Sequence, residues 1–521
     1  MMEKADSGQK LYTRMRLWEF PDQYIVEPTD GSNSSLLAIS RSDGTLNLID
    51  VLPECSKLRV PKMRTIFGLI GILKLIAGSY LMVITERECV GSYMGNPIFK
   101  ISSLKILRCN HALQNSPSEQ KKMETEFSEL LSVAENTPGL YFSYESNLTL
   151  SCQRLHELGD ESKLLPLWRQ ADPRFLWNNY LLELLIDNKL DSYLLPVIQG
   201  SFQHFQAAIG KDIADVTLIA RRCSRRNGTR MWRRGADSDG YVANFVETEQ
   251  IIQMHGHTAS FVQVRGSMPF TWEQIVDLTY KPKFEIVKPE EAPRIAERHF
   301  LDLRKTYQSV LAVDLVNKDI HFTSKNAPKK IKSVLFWFDS SVPTTKHDPC
   351  THLNQIIWTN TIFSPHQHGG EGRLSEKFAN AMQSITSDDV RYVHFDFHHI
   401  CGHVHFERLS ILYEQIEGFL EKNGYLLLNE KVWANHGDDI SIQYSGTPAL
   451  KGDFVRYGQR TTQGILNDFK NALMRYYLNN FVDGTKQDAI DLLQGHYIVS
   501  VSRDLRAPSQ QGGLEAVAVS A

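Results

Sequence analysis

The densest charge in the sequence is a run of arginines near the middle of the chain. Seven arginines fall within 14 residues, namely Arg221, Arg222, Arg225, Arg226, Arg230, Arg233 and Arg234. Guanidinium groups bind phosphate through paired hydrogen bonds, and their charge does not titrate away. Because the whole chain carries a net charge of -3, this local excess predicts a phosphate or membrane-headgroup site. The alternative is a hairpin edge that its charges keep soluble.

A second group of chemically capable residues is rich in histidine. Five histidines and one cysteine fall within 12 residues, from His394 to His405. Imidazole and carboxylate groups bind zinc and other transition metals. On a strand, His394, Asp396 and His398 would share one face, which makes them the metal-ligand candidates of a metal-dependent hydrolase. Packing and hydrogen bonding beside a cleft is the favoured alternative, so no metal or other cofactor is expected.

The cysteines offer few nucleophiles. Cys401 has histidines beside it that could act as bases, but the surrounding sequence matches neither a nucleophile elbow nor a protease signature. The chain has seven cysteines without a Cys-x-x-Cys spacing, which is typical of a reducing compartment. Lysine and arginine number 57 against 60 acidic residues, so the overall charge gives no reason to expect a nucleic-acid partner.

The elements that position these groups predict an α/β catalytic-type domain after an N-terminal, mostly β domain. Short strand-like segments separated by Gly, Asp, Asn and Pro fill the first hundred residues. The apolar stretch Thr65–Thr85 is long enough to cross a membrane, but Gly68, Gly71 and Gly78 divide it, so buried strands and turns are favoured. We place the domain boundary near Lys163, with the second domain spanning 164–505 and a tail at 506–521.

The second domain contains the pattern of a βαβ unit. Strands are predicted at Tyr307–Val316 and Val390–Phe397, with an amphipathic helix between them. Residues 319–367 interrupt this unit and read as an insertion, because α/β connections usually run about 2–6 residues. Earlier in the domain, Asn227-Gly228 predicts a tight hairpin between strands at Val216–Ala220 and Arg230–Arg234. Later, helices are predicted near Gly464–Leu478 and Lys486–Leu493.

Four motifs resemble the Sac-domain phosphoinositide phosphatases. They are Arg-Gly-Ala-Asp-Ser-Asp-Gly-Tyr-Val-Ala-Asn-Phe-Val-Glu-Thr-Glu-Gln at 234–250, Ala-Ser-Phe-Val-Gln-Val-Arg-Gly-Ser-Met-Pro at 259–269, Val-His-Phe-Asp-Phe-His-His at 393–399 and Asn-Asn-Phe-Val-Asp-Gly at 479–484. The motifs follow the order of that family, and their wording is similar to plant members of the membrane-anchored endoplasmic reticulum and Golgi type. The resemblance covers nearly the whole chain outside residues 319–367.

The resemblance implies a function on membrane lipids. Members of the family remove phosphate from phosphatidylinositol monophosphates, chiefly phosphatidylinositol 4-phosphate, without a metal. The partners implied are phosphoinositide lipids and the membrane surface. The lipid-phosphate candidates are the last five arginines of the run together with one arginine of the second motif: Arg225, Arg226, Arg230, Arg233, Arg234 and Arg265.

The family's catalytic loop is missing from this sequence. In the family, the thiolate of a Cys-x5-Arg loop attacks phosphorus and the arginine stabilises the transferred charge. None of the seven cysteines has an arginine six positions later; Pro61, Gly95, Asn115, Leu158, Thr229, Ile356 and Glu407 stand there instead. The resemblance places the missing segment at the Lys431–Val432 junction. No catalytic residue is therefore assigned, and the chain is predicted to be inactive.

The pattern of one insertion and one clean omission is typical of a splice variant or a misassembled gene model. The resemblance also ends before the family's C-terminal membrane anchor, so the chain is expected to lack that anchor. Its relatives suggest the cytosolic side of endoplasmic reticulum and Golgi membranes, with a soluble cytoplasmic protein as the alternative. A non-enzymatic module that binds anionic lipids is the alternative to the inactive phosphatase.

Overall fold

The computed structural model describes residues 10–30, 35–53, 61–75, 78–109, 118–209, 211–279, 283–314, 354–359, 371–385, 390–396, 429–457 and 460–497, with a few positions between 400 and 416. Within these residues, no helix combines the length and the hydropathy that crossing a bilayer requires.

A five-stranded antiparallel sheet forms the N-terminal layer. Its strands are β1 (Met15–Glu19), β2 (Gln23–Pro28), β3 (Leu36–Ser40), β4 (Leu46–Ile49) and β5 (Lys62–Ile66), in the order β4-β3-β2-β1-β5. Alternate apolar side chains such as Leu17, Val26 and Leu37 are buried in one core cluster. This alternation is what one buried face of a sheet requires.

An eleven-stranded sheet forms the centre of the molecule. Its antiparallel part comprises β6 (Gly68–Leu75), β7 (Gly78–Tyr93), β8 (Asn96–Arg108), β9 (Leu140–Phe142), β10 (Ile198–Ile209), β11 (Asp212–Arg222), β12 (Val246–Met254) and β13 (His257–Arg265). The described residues of the apolar stretch Thr65–Thr85, apart from Phe67, therefore lie in β5, β6 and β7. Because β9 pairs with β10, the sheet continues across residue 163, and the domain boundary placed there stays a prediction.

The other end of this sheet is parallel and contains the βαβ unit. Ahead of this unit, the two-stranded sheet of β14 (Trp272–Gln274) and β15 (Phe284–Ile286) stands apart. Strands β16 (Ser309–Asp314) and β18 (Val390–His394) pair in parallel, and helix α7 (Glu371–Ser384) buries Leu374, Phe378 and Ala381 between them in sequence. The predicted unit and the mixed α/β fold class are confirmed.

The stretch 319–367 is described only in part. Asn354–Thr359 forms β17, which pairs in parallel with both β13 and β16. The remaining residues of that stretch lie outside the described residues. Whether the stretch is an insertion stays a prediction, but this strand lies within the sheet.

The remaining helices cover the sheet and its edges. They are α1 (Ser118–Ala134), α2 (Cys152–Glu157), α3 (Asp160–Lys163), α4 (Leu167–Gln170), α5 (Asn179–Asp187), α6 (Ala292–Tyr307), α8 (Glu430–Ser445), α9 (Gly452–Tyr457), α10 (Thr462–Phe481) and α11 (Asp483–Leu493). The helices predicted near Gly464–Leu478 and Lys486–Leu493 are thus confirmed as α10 and α11. Ala220, Val246 and Ile440 share one apolar cluster, so α8 packs on β11 and β12.

The hairpin predicted at Asn227-Gly228 is wrong. Strand β11 ends at Arg222 and pairs with β10 and β12, whereas Arg230–Arg234 forms turns rather than a strand. The Asn227 amide donates to Gln199 on β10 at 3.1 Å, so the dipeptide belongs to a loop folded back onto the sheet. The alternating apolar pattern that a second strand needs is absent from this arginine-rich segment.

Candidate anion-binding site

The first arginine of the run is part of a buried ion network. Arg221 is fully buried on β11 and donates to Glu247 at 3.2 Å and to Glu249 at 2.7 Å, both on the neighbouring strand β12. Burial acts to lower the pKa of Arg221, but the two carboxylates outweigh it and raise the pKa. This arginine is committed to the fold and is not available to a ligand.

Two more arginines of the run also have acidic partners. Arg233 forms an ion pair with Asp491 of α11 at 2.6 Å. Arg225 lies over the ring of Tyr241 at 4.3 Å and 3.9 Å from Asp302. The structure therefore gives both candidates internal contacts, and Arg233 ties its loop to the C-terminal helix.

A different group within the run is buried against neutral partners. Arg222 is 2% exposed and donates to Gly228 O and Asn244 Oδ1, each at 2.6 Å. Burial and the charge of Arg265 lower its pKa to about 9. In the described part of the chain Arg222 has no carboxylate partner, so its positive charge remains uncompensated.

Arg226 and Arg234 are held in a similar way. Arg226 donates to the backbone oxygen of Arg234 at 2.8 Å, and burial together with Arg233 lowers its pKa to about 10. Arg234 donates to the Gln274 amide at 2.8 Å, and burial together with Arg230 lowers its pKa to about 9. Burial is the main cause of both shifts, and a neighbouring arginine adds to each of them.

Tyr444 of α8 marks the centre of this positive charge. Arg265, at the end of β13, lies 5.9 Å from the centroid of its ring, and Arg230 N donates to Tyr444 O at 2.8 Å. Burial acts to raise the pKa of Tyr444, but nearby arginines outweigh it and lower the pKa; they are Arg265, Arg230, Arg475 and Arg234. We call these four arginines, Arg222 and Tyr444 the cationic centre.

Two titratable groups border the cationic centre. His436 of α8 is buried, contacts Thr248 Oγ1 at 3.2 Å and is held neutral, because burial and Arg265 lower its pKa to about 3. Asp483 is also buried, and burial raises its pKa to about 6 although Lys486 and Arg230 act to lower it. The neutral imidazole does not offset the positive charge of the centre, whereas Asp483, with a pKa of about 6, is mostly ionised at neutral pH and offsets part of it.

The cationic centre has the chemistry of an anion site. Arg265 makes no ion pair with any carboxylate among the described residues, and its charge acts on Arg222, Tyr444 and His436. Bringing cations together in a partly buried place is unfavourable unless an anion joins them. Phosphate suits such a place because guanidinium groups bind it bidentately. Arg230, Arg234 and Arg265 are the predicted lipid-phosphate candidates that the fold brings together here, with Arg226 beside them.

The predicted metal site is described only in part. His394 ends β18 opposite Asp314 of β16, Asp396 follows two residues later, and His398 lies outside the described residues. No cluster of three or more potential ligands occurs in the described ranges. Buried Asp314 accepts from Ser375 at 2.8 Å and Tyr392 at 3.1 Å, so this strand end is organised by hydrogen bonds.

Sequence reasoning missed several residues of the cationic centre. Tyr444, Arg475 and His436 come from helices more than 200 residues after the arginine run, and nothing local marks them. Arg222 was noticed only as one member of the run. The available signal was the second motif, at 259–269, which contains Arg265 but does not show its neighbours in space.

Two of the four described cysteines, Cys109 and Cys223, are poor nucleophiles. Cys109 and Cys223 are buried, and burial raises the pKa of each thiol to about 11. Attack on phosphorus needs a thiolate, so both remain protonated at neutral pH. Cys401 lies outside the described residues.

Comparisons with known proteins agree on one family. A model described as the SacI homology domain matches residues 67–327. The chain is 62% identical to phosphoinositide phosphatase SAC7 of Arabidopsis thaliana, across 99% of this chain and 89% of that protein. It is 39% identical to SAC8 of the same plant, across 98% and 88%. With phosphatidylinositol-3-phosphatase SAC1 of Saccharomyces cerevisiae the identity is 27%, across 90% and 78%.

The lengths of these alignments are informative. The alignment with the Arabidopsis SAC7 protein spans 579 positions, while this chain has 521 residues. At least 58 of those positions (579 minus 521) therefore hold a residue of the relative and none of this chain.

Proposed function

The chain belongs to the Sac-domain phosphoinositide phosphatase family, and from this premise we propose that it binds phosphoinositide headgroups without hydrolysing them. The observation that carries the proposal is the contrast between two parts of one site. The cationic centre around Tyr444 is assembled, whereas no cysteine is followed by an arginine at the required spacing. Binding needs the first part and phosphate transfer needs both.

Three findings support the loss of hydrolysis. In its alignment with the Arabidopsis relative, at least 58 residues of the relative have no counterpart in this chain. The nearest substitute for the loop, Cys223 with Arg230, has one residue too many, and burial raises the pKa of that thiol to about 11. Asn429 caps α8 by accepting from Val432 N, so the chain enters this helix directly across the junction where the loop is expected.

Activity is tested with vesicles that contain phosphatidylinositol 4-phosphate, the lipid we propose for the parent enzyme. Phosphate release by the purified chain should fall roughly a thousandfold or more below that of the Arabidopsis relative, because removing a nucleophile costs at least that much. The relative, prepared and assayed in parallel, is the positive control. Release at the relative's rate would refute the proposal.

Headgroup binding is tested by vesicle flotation with and without the same lipid. Arg265→Gln should weaken binding about tenfold, since a hydrogen bond to a charged group contributes about 1.5–3 kcal/mol. Arg16→Gln is the matched control, because Arg16 is half exposed in the remote five-stranded sheet and contacts Glu27 at 3.6 Å. Equal binding by the Arg265 variant and the control would exclude the cationic centre as the site.

The origin of the chain is tested at the gene. We propose that the transcript is a splice variant or a misassembled gene model, in which residues 319–367 are retained and the segment at Lys431–Val432 is lost. Genomic sequence at that junction that encodes a Cys-x5-Arg loop would support this origin. A continuous coding sequence through Lys431–Val432 would exclude it.

The location is proposed from the family alone. The parent enzyme is placed on the cytosolic side of endoplasmic reticulum and Golgi membranes, and a fluorescent fusion of this chain should label those membranes if headgroup binding suffices. Diffuse cytoplasmic signal would contradict that.

A metal-dependent hydrolase at His394, Asp396 and His398 remains the weaker alternative, and it predicts stoichiometric metal in the purified protein.

A further inference from the structure

Helix α10 is arranged inside out. Its residues Ile465, Leu466, Phe469, Leu473, Met474, Tyr477 and Phe481 are between 45% and 65% exposed. The polar residues Arg475 and Asn479 are buried instead. A surface helix normally buries its apolar stripe and exposes its polar face, so α10 reverses the usual arrangement.

The buried polar face of α10 has good reasons to be inside. Arg475 donates to Thr447 Oγ1 at 2.6 Å, to Ser441 Oγ at 3.0 Å and to Pro448 O at 2.7 Å. It also lies close enough to the cationic centre to lower the pKa of Tyr444. The orientation of α10 is therefore fixed by specific contacts, and the apolar side must face outward.

The outward apolar side forms one continuous stripe. Ile465, Phe469, Leu473, Tyr477 and Phe481 are spaced four residues apart, which places them on one side of a helix about 24 Å long from the first to the last. Among the three charged residues of α10, only Lys470 is exposed; Asp468 is half-buried and Arg475 is buried. We call this surface the outer face of α10.

The outer face is too large to be left in water by an ordinary monomer. Its three aromatic side chains alone, at 54% to 65% exposure, present about 350 Å² if a full aromatic side chain is taken as roughly 200 Å². Ile465 and Leu473 of the stripe add to this, as do the adjacent exposed side chains Leu466 and Met474. The total passes the roughly 300–600 Å² of the largest apolar patch on a typical monomer.

The missing segment is the occupant that fits this surface. At least 58 positions of the Arabidopsis relative have no counterpart here, and the proposed junction Lys431–Val432 lies in the first turn of α8. Helix α8 contacts the inner side of α10 through Ser441 and Arg475. A segment entering there arrives beside α10 and is long enough to include a helix of 24 Å, about 16 residues.

We infer that the outer face of α10 is the binding surface for an amphipathic helix within the segment that the relatives carry and this chain lacks, an inference that rests on the proposed function. A bilayer is the less suitable occupant, because interfacial helices carry several cations beside their apolar face and this one exposes a single lysine. In the part of the chain that the structure describes, the apolar side chains of this surface stay 45–65% exposed.

The test compares one double substitution, Phe469→Ser with Leu473→Ser, in two proteins. The first is this full chain. The second is a chimera in which the unmatched residues of the Arabidopsis relative are inserted between Lys431 and Val432. In this chain the substitution should reduce the fluorescence of a hydrophobic dye about twofold and move the thermal midpoint by less than about 1 °C. In the chimera it should lower the midpoint by about 5 °C, because buried side chains are truncated.

Ile213→Ser is the matched control, since Ile213 is 66% exposed on β11, away from α10. It should shift the midpoint equally in the two proteins. If the chimera does not fold, the same comparison is made in the intact Arabidopsis relative at the residues aligned with Phe469 and Leu473.

Three results would overturn the inference. They are equal midpoint shifts with and without the segment, a concentration-dependent dimer of this chain that the double substitution dissociates, and binding to lipid vesicles that the double substitution abolishes. Phosphatase activity separates this inference from the proposed function. An active chimera with unchanged α10 exposure refutes the surface alone, whereas an inactive chimera with a covered α10 refutes the account of lost hydrolysis alone.

Discussion

Replacing Glu247 by glutamine should destabilise the fold strongly. Glu247 is fully buried on β12; its two oxygens each accept from Arg154 at 2.8 Å, and one accepts from Arg221 at 3.2 Å. Tyr307 of α6 donates to it as well. The carboxylate thus joins a strand of the central sheet to α2 and to α6 through one side chain.

The charges around Glu247 balance, which sets the expected magnitude. Three arginines, Arg154, Arg174 and Arg221, are paired with three carboxylates, Asp172, Glu247 and Glu249. Glutamine keeps the size of the side chain but leaves one buried positive charge uncompensated and turns an acceptor into a donor. Breaking a buried pair in this way costs about 3–5 kcal/mol.

The loss of unfolding free energy is measured by equilibrium unfolding in urea, and the thermal midpoint is measured by heating. Both transitions are followed by tryptophan fluorescence. At roughly 2.1 cal/mol/K per residue, the unfolding entropy of a chain this long is about 1.1 kcal/mol/K, so the thermal midpoint should fall by about 3–5 °C. Glu291→Gln is the control, because Glu291 is exposed and only 3.5 Å from the exposed Lys288. It should cost less than about 0.5 kcal/mol.

A loss below about 1 kcal/mol for Glu247→Gln would refute the reasoning, since the buried arginines would then not need this carboxylate. Glu247 and Glu249 lie in the motif at 234–250 that first indicated the family. Their contacts show that this part of the motif stabilises the sheet.

Three further predictions concern titration, thiol reactivity and strand contact. Burial raises the pKa of Asp483 to about 6, against about 3.9 unfolded; the folded state therefore holds the proton more tightly and loses stability as pH rises from about 4 to about 6. Asp483→Asn removes this loss. The unfolding free energy of the variant, relative to that of the unchanged chain, should therefore increase by up to about 3 kcal/mol between pH 4 and pH 7. A difference that does not vary with pH would contradict the assignment. Cys223, whose thiol pKa burial raises to about 11, should resist iodoacetamide at pH 8 until the chain unfolds, whereas exposed Cys89 should react at once; mass spectrometry that finds both labelled equally in the native state would contradict this. Gly200→Ala would place a methyl group 1.8 Å from the backbone oxygen of Ala220, so β10 must move from β11 and the free energy of unfolding should drop by about 1–3 kcal/mol, with an unchanged urea midpoint as the opposing result.

The sequence alone determined the elements and the family. Periodicity predicted the βαβ unit, and β16, α7 and β18 follow it closely because side chains that repeat with the period of a helix or strand are local properties. Motif wording predicted the family, and counting from each cysteine showed that no Cys-x5-Arg loop is present. Each of these conclusions depends on residues that are near neighbours in the chain.

Only the tertiary structure decided what the arginines do. From the sequence, the last five arginines of the run were equivalent candidates for lipid phosphate, yet Arg233 is neutralised by Asp491. Arg221, earlier in the run, is neutralised by carboxylates on the neighbouring strand. Arg222 has neutral partners and joins Arg265 near Tyr444. Charge pairing depends on distance in space, and the partners lie up to 258 residues away in the chain.

The same distinction applies to α10. The pattern predicted a helix at Gly464–Leu478, and α10 is there, but an amphipathic pattern does not state which side is buried. Contacts of Arg475 with Ser441, Thr447 and Pro448 turn the polar side inward. Burial is a property of the whole packed chain, so only the assembled fold could show that the apolar side of this helix is left exposed.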